Sequence, residues 1–207
     1  PWGEHKYVDD IEAREDGGTP AFLQTIKTAL CIQLKDKMGV QNILDREHEL
    51  HKIIWSKFTE LDNVHVLADN FPNRLGVYSF YIDNLHFNLA VQLLNDKYGI
   101  QVRGGCSCAG TYGHILLNVE EEQSCAITTK INDGDLTLKP GWVRMSIHPT
   151  MTDDEMHFIM NAIEELSGNH KEWATDYTYN NKTNEFVYKD GSFALKNKER
   201  VESWFRL

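Results

Sequence analysis

The sequence predicts an α+β fold, a short and mostly antiparallel sheet backed by helices. Three observations predict it. The hydrophobic spacing changes along the chain from a helical to an alternating period and back again. The strand-like runs are short and rich in β-branched and aromatic residues. The resulting order of helices, strands, helix, strand, strand and helix lacks the strict strand–helix alternation of a parallel sheet. With 207 residues, 41% of them hydrophobic and 25% charged, the chain is long and apolar enough to bury a core of this kind.

Residues 1 to 18 carry little periodicity and end in Arg14-Glu15-Asp16-Gly17-Gly18. Thr19-Pro20 reads as a helix start, with threonine at the N-cap and proline at the first helical position. Leu23, Ile26, Leu30 and Leu34 keep helical spacing up to Gly39, a C-cap, and Cys31 falls beside that stripe. A second helix is expected from Asn42 to Leu61. Val64 to Leu67 and Gly76 to Ile82 read as strands, with the turn formers Asn70, Pro72 and Asn73 between them. Phe87, Ala90, Val91 and Leu94 mark a helix that stops near Gly99, and Ile100 to Arg103 a short strand. From Thr111 to Pro140 the pattern predicts a long irregular insertion. Trp142 to Ile147 is another strand. Thr152 to Glu155 is a capping box that opens a helix with Met156, Ile159, Ile163 and Leu166 on its core side. Residues 170 to 207 form an aromatic tail of mixed charge.

Composition narrows the function classes. A formal net charge of -10 argues against nucleic acid or anionic membrane as the main partner. No apolar run approaches the roughly 20 residues that span a bilayer. The first residues resemble no targeting peptide, and without an initiator methionine the chain reads as a fragment or a processed product. Four cysteines at uneven spacing do not make a disulfide scaffold, so a reducing cytoplasm is the expected location.

Three stretches carry residues suited to chemistry. Gly17-Gly18-Thr19-Pro20 turns the chain tightly into a helix start, whose free N–H groups suit a phosphate, or else it simply turns and caps the helix. Val102-Arg103-Gly104-Gly105-Cys106-Ser107-Cys108-Ala109-Gly110 sets two thiols in a glycine-rich loop after an arginine. Such a cysteine is a mobile nucleophile or an inert thiol, and two cysteines fall short of the four ligands of a structural zinc site. Arg144, inside Trp142 to Ile147, needs an anion: a substrate carboxylate gripped by its planar fork, or a surface Asp or Glu.

Taken in order, Arg14 to Pro20, Arg103 to Ala109 and Val143 to Ser146 resemble three landmarks of class V aminotransferases and cysteine desulfurases. The resemblance covers residues 10 to 168. It implies the small carboxy-terminal domain of a fold type I pyridoxal-phosphate enzyme over residues 19–169, with an insertion at 111–140. Residues 1–18 then belong to the edge of a large domain, and 170–207 form an extension. It implies pyridoxal 5'-phosphate as cofactor, an amino-acid substrate and a homodimer. Thr19 and Gly18 fall where the cofactor phosphate of a neighbouring subunit is bound. Cys108 falls at the nucleophile that receives sulfur from cysteine, Arg144 at the substrate-carboxylate position, and Arg103 at the arginine that opens the cysteine loop, also on the substrate side.

The chain departs from that pattern in three ways. The family's cofactor-bearing lysine lies well before the Gly-Thr-Pro turn, and Lys6 stands too close to Thr19 to be that residue. Without it the chain is expected to be inactive alone. The loop reads Gly-Gly-Cys-Ser-Cys, without the histidines common in desulfurases and with Cys106 as an extra thiol. The interval from Cys108 to Arg144 is long. An aminotransferase in which Cys108 is incidental, or a non-catalytic interaction domain, are the rival readings.

Overall fold

The computed structural model describes residues 2–106 and 110–206, with backbone alone over 192–196. Two units are present, residues 1–45 and 46–207. In the first, a short helix α1 (Ile11–Glu15) is capped by the Asp10 carboxylate, which accepts from Ala13 N–H. Helix α2 (Phe22–Met38) begins two residues beyond the expected proline. Pro20 C=O accepts from Phe22 N–H at 2.8 Å, a turn too tight for helix, so Ala21 becomes the N-cap and Thr19 caps nothing. Gly39 ends the helix as expected, at φ 83° with its N–H on Lys35 C=O. Leu23, Ile26, Leu30, Leu34 and Cys31 are exposed, and Cys31 is more accessible than Cys106. Helix α3 follows (Val40–Glu60).

The second unit holds one antiparallel sheet of β1 (Val64–Val66), β2 (Val77–Ile82), β3 (Arg103–Gly105) and β4 (Trp142–Ser146) in the order β1-β2-β4-β3. Side chains alternate across it. Val64, Tyr78, Phe80, Ile82, Val143 and Met145 point into the core. They meet Leu50, Ile54 and Phe58 of α3, and the buried stripes of α4 (Phe87–Tyr98) and α7 (Asp153–Trp173). Gly99 ends α4 in the left-handed conformation, φ 69°. The capping box of α7 is complete: Glu155 N–H donates to Thr152 Oγ1 at 3.1 Å and Thr152 N–H to Glu155 Oε2 at 2.8 Å. Arg46 of α3 bridges to the same end, donating to Met151 C=O and Asp153 at 2.8 Å each.

Two further expectations are corrected. The stretch read as irregular contains helices α5 (Gly110–Leu116) and α6 (Glu121–Asn132). The strand expected at Ile100 to Arg103 starts at Arg103, where pairing with β4 begins. After α7 comes a hairpin of β5 (Tyr177–Asn180) and β6 (Glu185–Tyr188), then helix α8 (Ser192–Ser203). The hairpin is tied to α4. Asn88 Nδ2 donates to Asn184 C=O, Tyr177 O–H donates to Asp96 at 2.8 Å, and Tyr179 and Phe186 stand against the His86 ring at 5.4 and 5.2 Å.

Candidate active site

The Arg-Gly-Gly-Cys run owes its glycines to two separate causes. A methyl on Gly104 would meet Asn88, Phe87 and Val91 of α4 at 3.0 Å each, so the helix can lie this close only over a bare backbone. Gly105 has φ 118°, outside the range of ordinary side-chain-bearing residues. The chain then delivers Cys106, half-buried, beneath α5. A methyl on Gly113 of that helix would stand 3.5 Å from Cys106 Cβ and 3.3 Å from the Trp142 ring. Cys108, the expected nucleophile, lies outside the described residues together with Ser107 and Ala109.

On the sheet face away from the core, Ser79, Arg144 and Arg103 form one row across β2, β4 and β3, each directly opposite the next. Arg144 is half-buried and Arg103 exposed. Neither side chain makes a hydrogen bond or an ion pair among the described residues, so the surface Asp or Glu considered for Arg144 is not there. Two like charges facing each other across a ladder weaken the sheet by about 0.2–1 kcal/mol. A carboxylate or phosphate between the two forks would offset that repulsion with charge-assisted hydrogen bonds. The register therefore brings Arg103, Arg144 and the start of the cysteine loop to one corner of the sheet.

Gly18 and Thr19 belong to the first unit. Gly18 takes φ 134°, and its N–H donates to the Asp16 carboxylate at 3.2 Å, so that amide is already engaged. Thr19 is exposed and its hydroxyl is free of hydrogen bonds among the described residues. Of the phosphate donors expected in this turn, the Thr19 hydroxyl is thus free and the Gly18 amide is not.

Sequence reasoning did not single out a cavity of about 600 Å³ on the outer side of β3, with Arg103, Cys106, Lys139 and Glu185 in its walls. Nor did it single out Gly141, where a methyl would come within 2.6 Å of the Phe87 ring. A glycine immediately before an aromatic strand is the one local sign of that close approach.

The Aminotransferase class-V family profile matches residues 3–158. A probable cysteine desulfurase of Halobacterium salinarum is 30% identical over 150 residues, which is 72% of this chain and 31% of that protein. Another, of Methanothermobacter thermautotrophicus, is 24% identical over 167 residues, 80% of this chain and 37% of that protein. The apo structure of cysteine desulfurase from Thermococcus onnurineus NA1 superposes with a TM-score of 0.55 and 26% identity, over 75% of this chain and 34% of that one. The chain thus spans about a third of the length of these relatives. With three-quarters of its length matched by the family profile, and a fold shared with a solved desulfurase, this chain belongs to the class V aminotransferase family.

Proposed function

We propose that this chain is the substrate-gripping and thiol-bearing part of a pyridoxal-phosphate enzyme that removes sulfur from cysteine. The opposed arginines, bare of any protein anion, carry this reading. Arg144, the more buried of the two, forks onto the substrate carboxylate, and Arg103 completes the grip from the edge strand. Fixing the carboxylate fixes where the substrate's sulfur lies. Cys108, by its place in the Cys-Ala pair, is the thiol that receives that sulfur.

Pyridoxal phosphate, when bound, supplies the electron sink for breaking bonds around the substrate's α-carbon. This chain's own share in holding it is the free hydroxyl of Thr19, with Gly18 giving the turn that presents it. Reaching a phosphate in a neighbouring subunit makes the complete enzyme a homodimer. Its place of work is the cytoplasm.

The test uses the complete protein with L-cysteine as substrate. Arg144→Lys keeps the charge and loses the fork, and is expected to raise KM by about tenfold or more while the protein stays folded. Arg103→Ser is expected to weaken substrate binding and yet stabilise the fold by about 0.2–1 kcal/mol, because one of two facing charges is gone. Cys108→Ser is expected to abolish sulfide release. Wild-type KM in Arg144→Lys would remove the carboxylate role. Amino transfer to keto acids without sulfide release would make the protein an aminotransferase in which Cys108 is incidental.

A further inference from the structure

We propose that the cavity between the free edge of β3 and the C-terminal hairpin is a slot for an acidic, extended segment of a partner protein, bound as an added strand. The inference is separate from the desulfurase reading except at Arg103, which that reading gives to the substrate, leaving Lys139 as the cation that belongs to the slot alone. It starts from two unpaired edges. Strand β3 ends the sheet order, and apart from its ladder to β4 the backbone of Arg103–Gly105 makes no hydrogen bond among the described residues. Strand β6 pairs with β5 alone, and the backbone of residues 185–187 is likewise without further partners. Residues 103–106 and 183–187 line the same cavity of about 600 Å³, so both stretches border one space.

An exposed edge is normally blunted by charge, a bulge or a covering element, because it would pair with any strand it met. Here the edge is recessed. Helix α4 lays Phe87 and Val91 along the cavity, Leu136 stands on the insertion side, and Phe186 and Val187 come from the hairpin. A chain entering such a space can satisfy the unpaired N–H and C=O groups of β3 while its alternate side chains meet an apolar floor. Gly104 and Gly105 carry no side chains that would hold a second backbone away.

Charge selects among such segments. Arg103, Lys139 and Glu185 are the charged residues lining the cavity, and neither Arg103 nor Lys139 makes an ion pair among the described residues. Two free cations in the walls of a cavity stand out on a chain of net charge -10. They favour carboxylates on the incoming segment, with Glu185 left to meet a polar or basic residue.

The experiment takes the complete protein and three fluorescent hexapeptides. One alternates valine with glutamate, the second alternates valine with lysine, and the third is the glutamate peptide with all its backbone amides N-methylated. Anisotropy is expected to show the glutamate peptide binding at least about tenfold tighter than either of the others. Lys139→Glu is expected to cancel the preference for glutamate over lysine. Amide exchange at Gly104, the residue of β3 whose N–H faces away from β4, is expected to slow when the glutamate peptide binds, a reading on the unaltered protein that stands even if the variant folds poorly. Equal binding of the glutamate and lysine peptides, tolerance of N-methylation, or no binding at about 1 mM, near the weak end of specific recognition, would overturn the proposal. So would edge amides already protected in the free protein, since the slot would then be filled by the protein's own chain.

Discussion

Gly141→Ala tests how closely α4 is seated on the sheet. A methyl at this position would lie 2.6, 2.7 and 2.9 Å from three carbons of the Phe87 ring, whereas carbon contacts settle near about 3.5–4.0 Å. The ring cannot swing away freely. It is 6% exposed, stacked on His86 at 4.4 Å, and within 3.0 Å of a methyl imagined on Gly104. Overpacking of this kind costs about 1–3 kcal/mol. Exchanging glycine for alanine also narrows the unfolded ensemble, which returns about 0.4–1 kcal/mol at a position with ordinary φ. The overlap is the larger effect, leaving a loss of roughly 1–2 kcal/mol. For a chain of this size that is a fall in Tm of roughly 2–8 °C. Thermal and urea unfolding followed by circular dichroism read it directly. The double variant with Phe87→Leu should recover part of the loss, because the smaller side chain leaves the space the methyl needs. A Gly141→Ala protein as stable as the parent would show that α4 is not held against the sheet at this point.

Two further outcomes follow from the structure. Thr152→Ala removes one half of the capping box on α7 and should cost about 1 kcal/mol by urea unfolding, whereas Thr152→Ser should cost little. The second concerns His86, whose Nδ1 accepts the Asn88 N–H at 3.1 Å and whose pKa is lowered by burial, against an upward pull from the Asn184 side chain. The unfolded chain takes up that proton more readily, so the stability His86 contributes is whole above about pH 6.5 and is lost as pH falls through its lowered folded value. His51, lowered chiefly by burial, acts in the same sense. Urea midpoints should drop between pH 7.5 and pH 5. The drop should shrink in His86→Asn, which can still cap α4 but does not titrate. An unchanged pH profile in that variant would assign the effect elsewhere.

The parts of the fold legible in the sequence are those whose signal is local. Thr152 and Glu155 form a cap within one turn, and Met156, Ile159, Ile163 and Leu166 share one face, so α7 could be read at sight. The same holds for Gly99 and for the alternation in β2. Thr19-Pro20 misled because the signal for a helix start and the signal for a tight turn are nearly the same residues, and the Pro20–Phe22 bond chose the turn. Helix α6 went unread because it buries nothing among the described residues and so has no apolar stripe to show. In α5, Gly113 looks like a helix breaker, yet its bare backbone is what admits Trp142 and Cys106. The candidate site divides along the same line. Arg103 and Arg144 were each visible as an arginine in a strand. Their facing register was not, because it is set by pairing between segments far apart in the chain.

The hydrogen bonds around Asn181 bear on how this protein can be taken apart. Its carbonyl accepts from Leu136 N–H at 2.8 Å, and its side-chain amide donates to Asp135 at 3.2 Å. The segment ahead of β4 and the hairpin after α7 are thus fastened to each other as well as to α4. They do not behave as separable ornaments. Trimming the chain after α7 would strip partners from Leu136 and Asp135, and excising the earlier segment would leave the hairpin tip without its own. Anyone reducing this protein to a minimal unit, or grafting its cysteine loop onto a relative, has to move both pieces as one cassette.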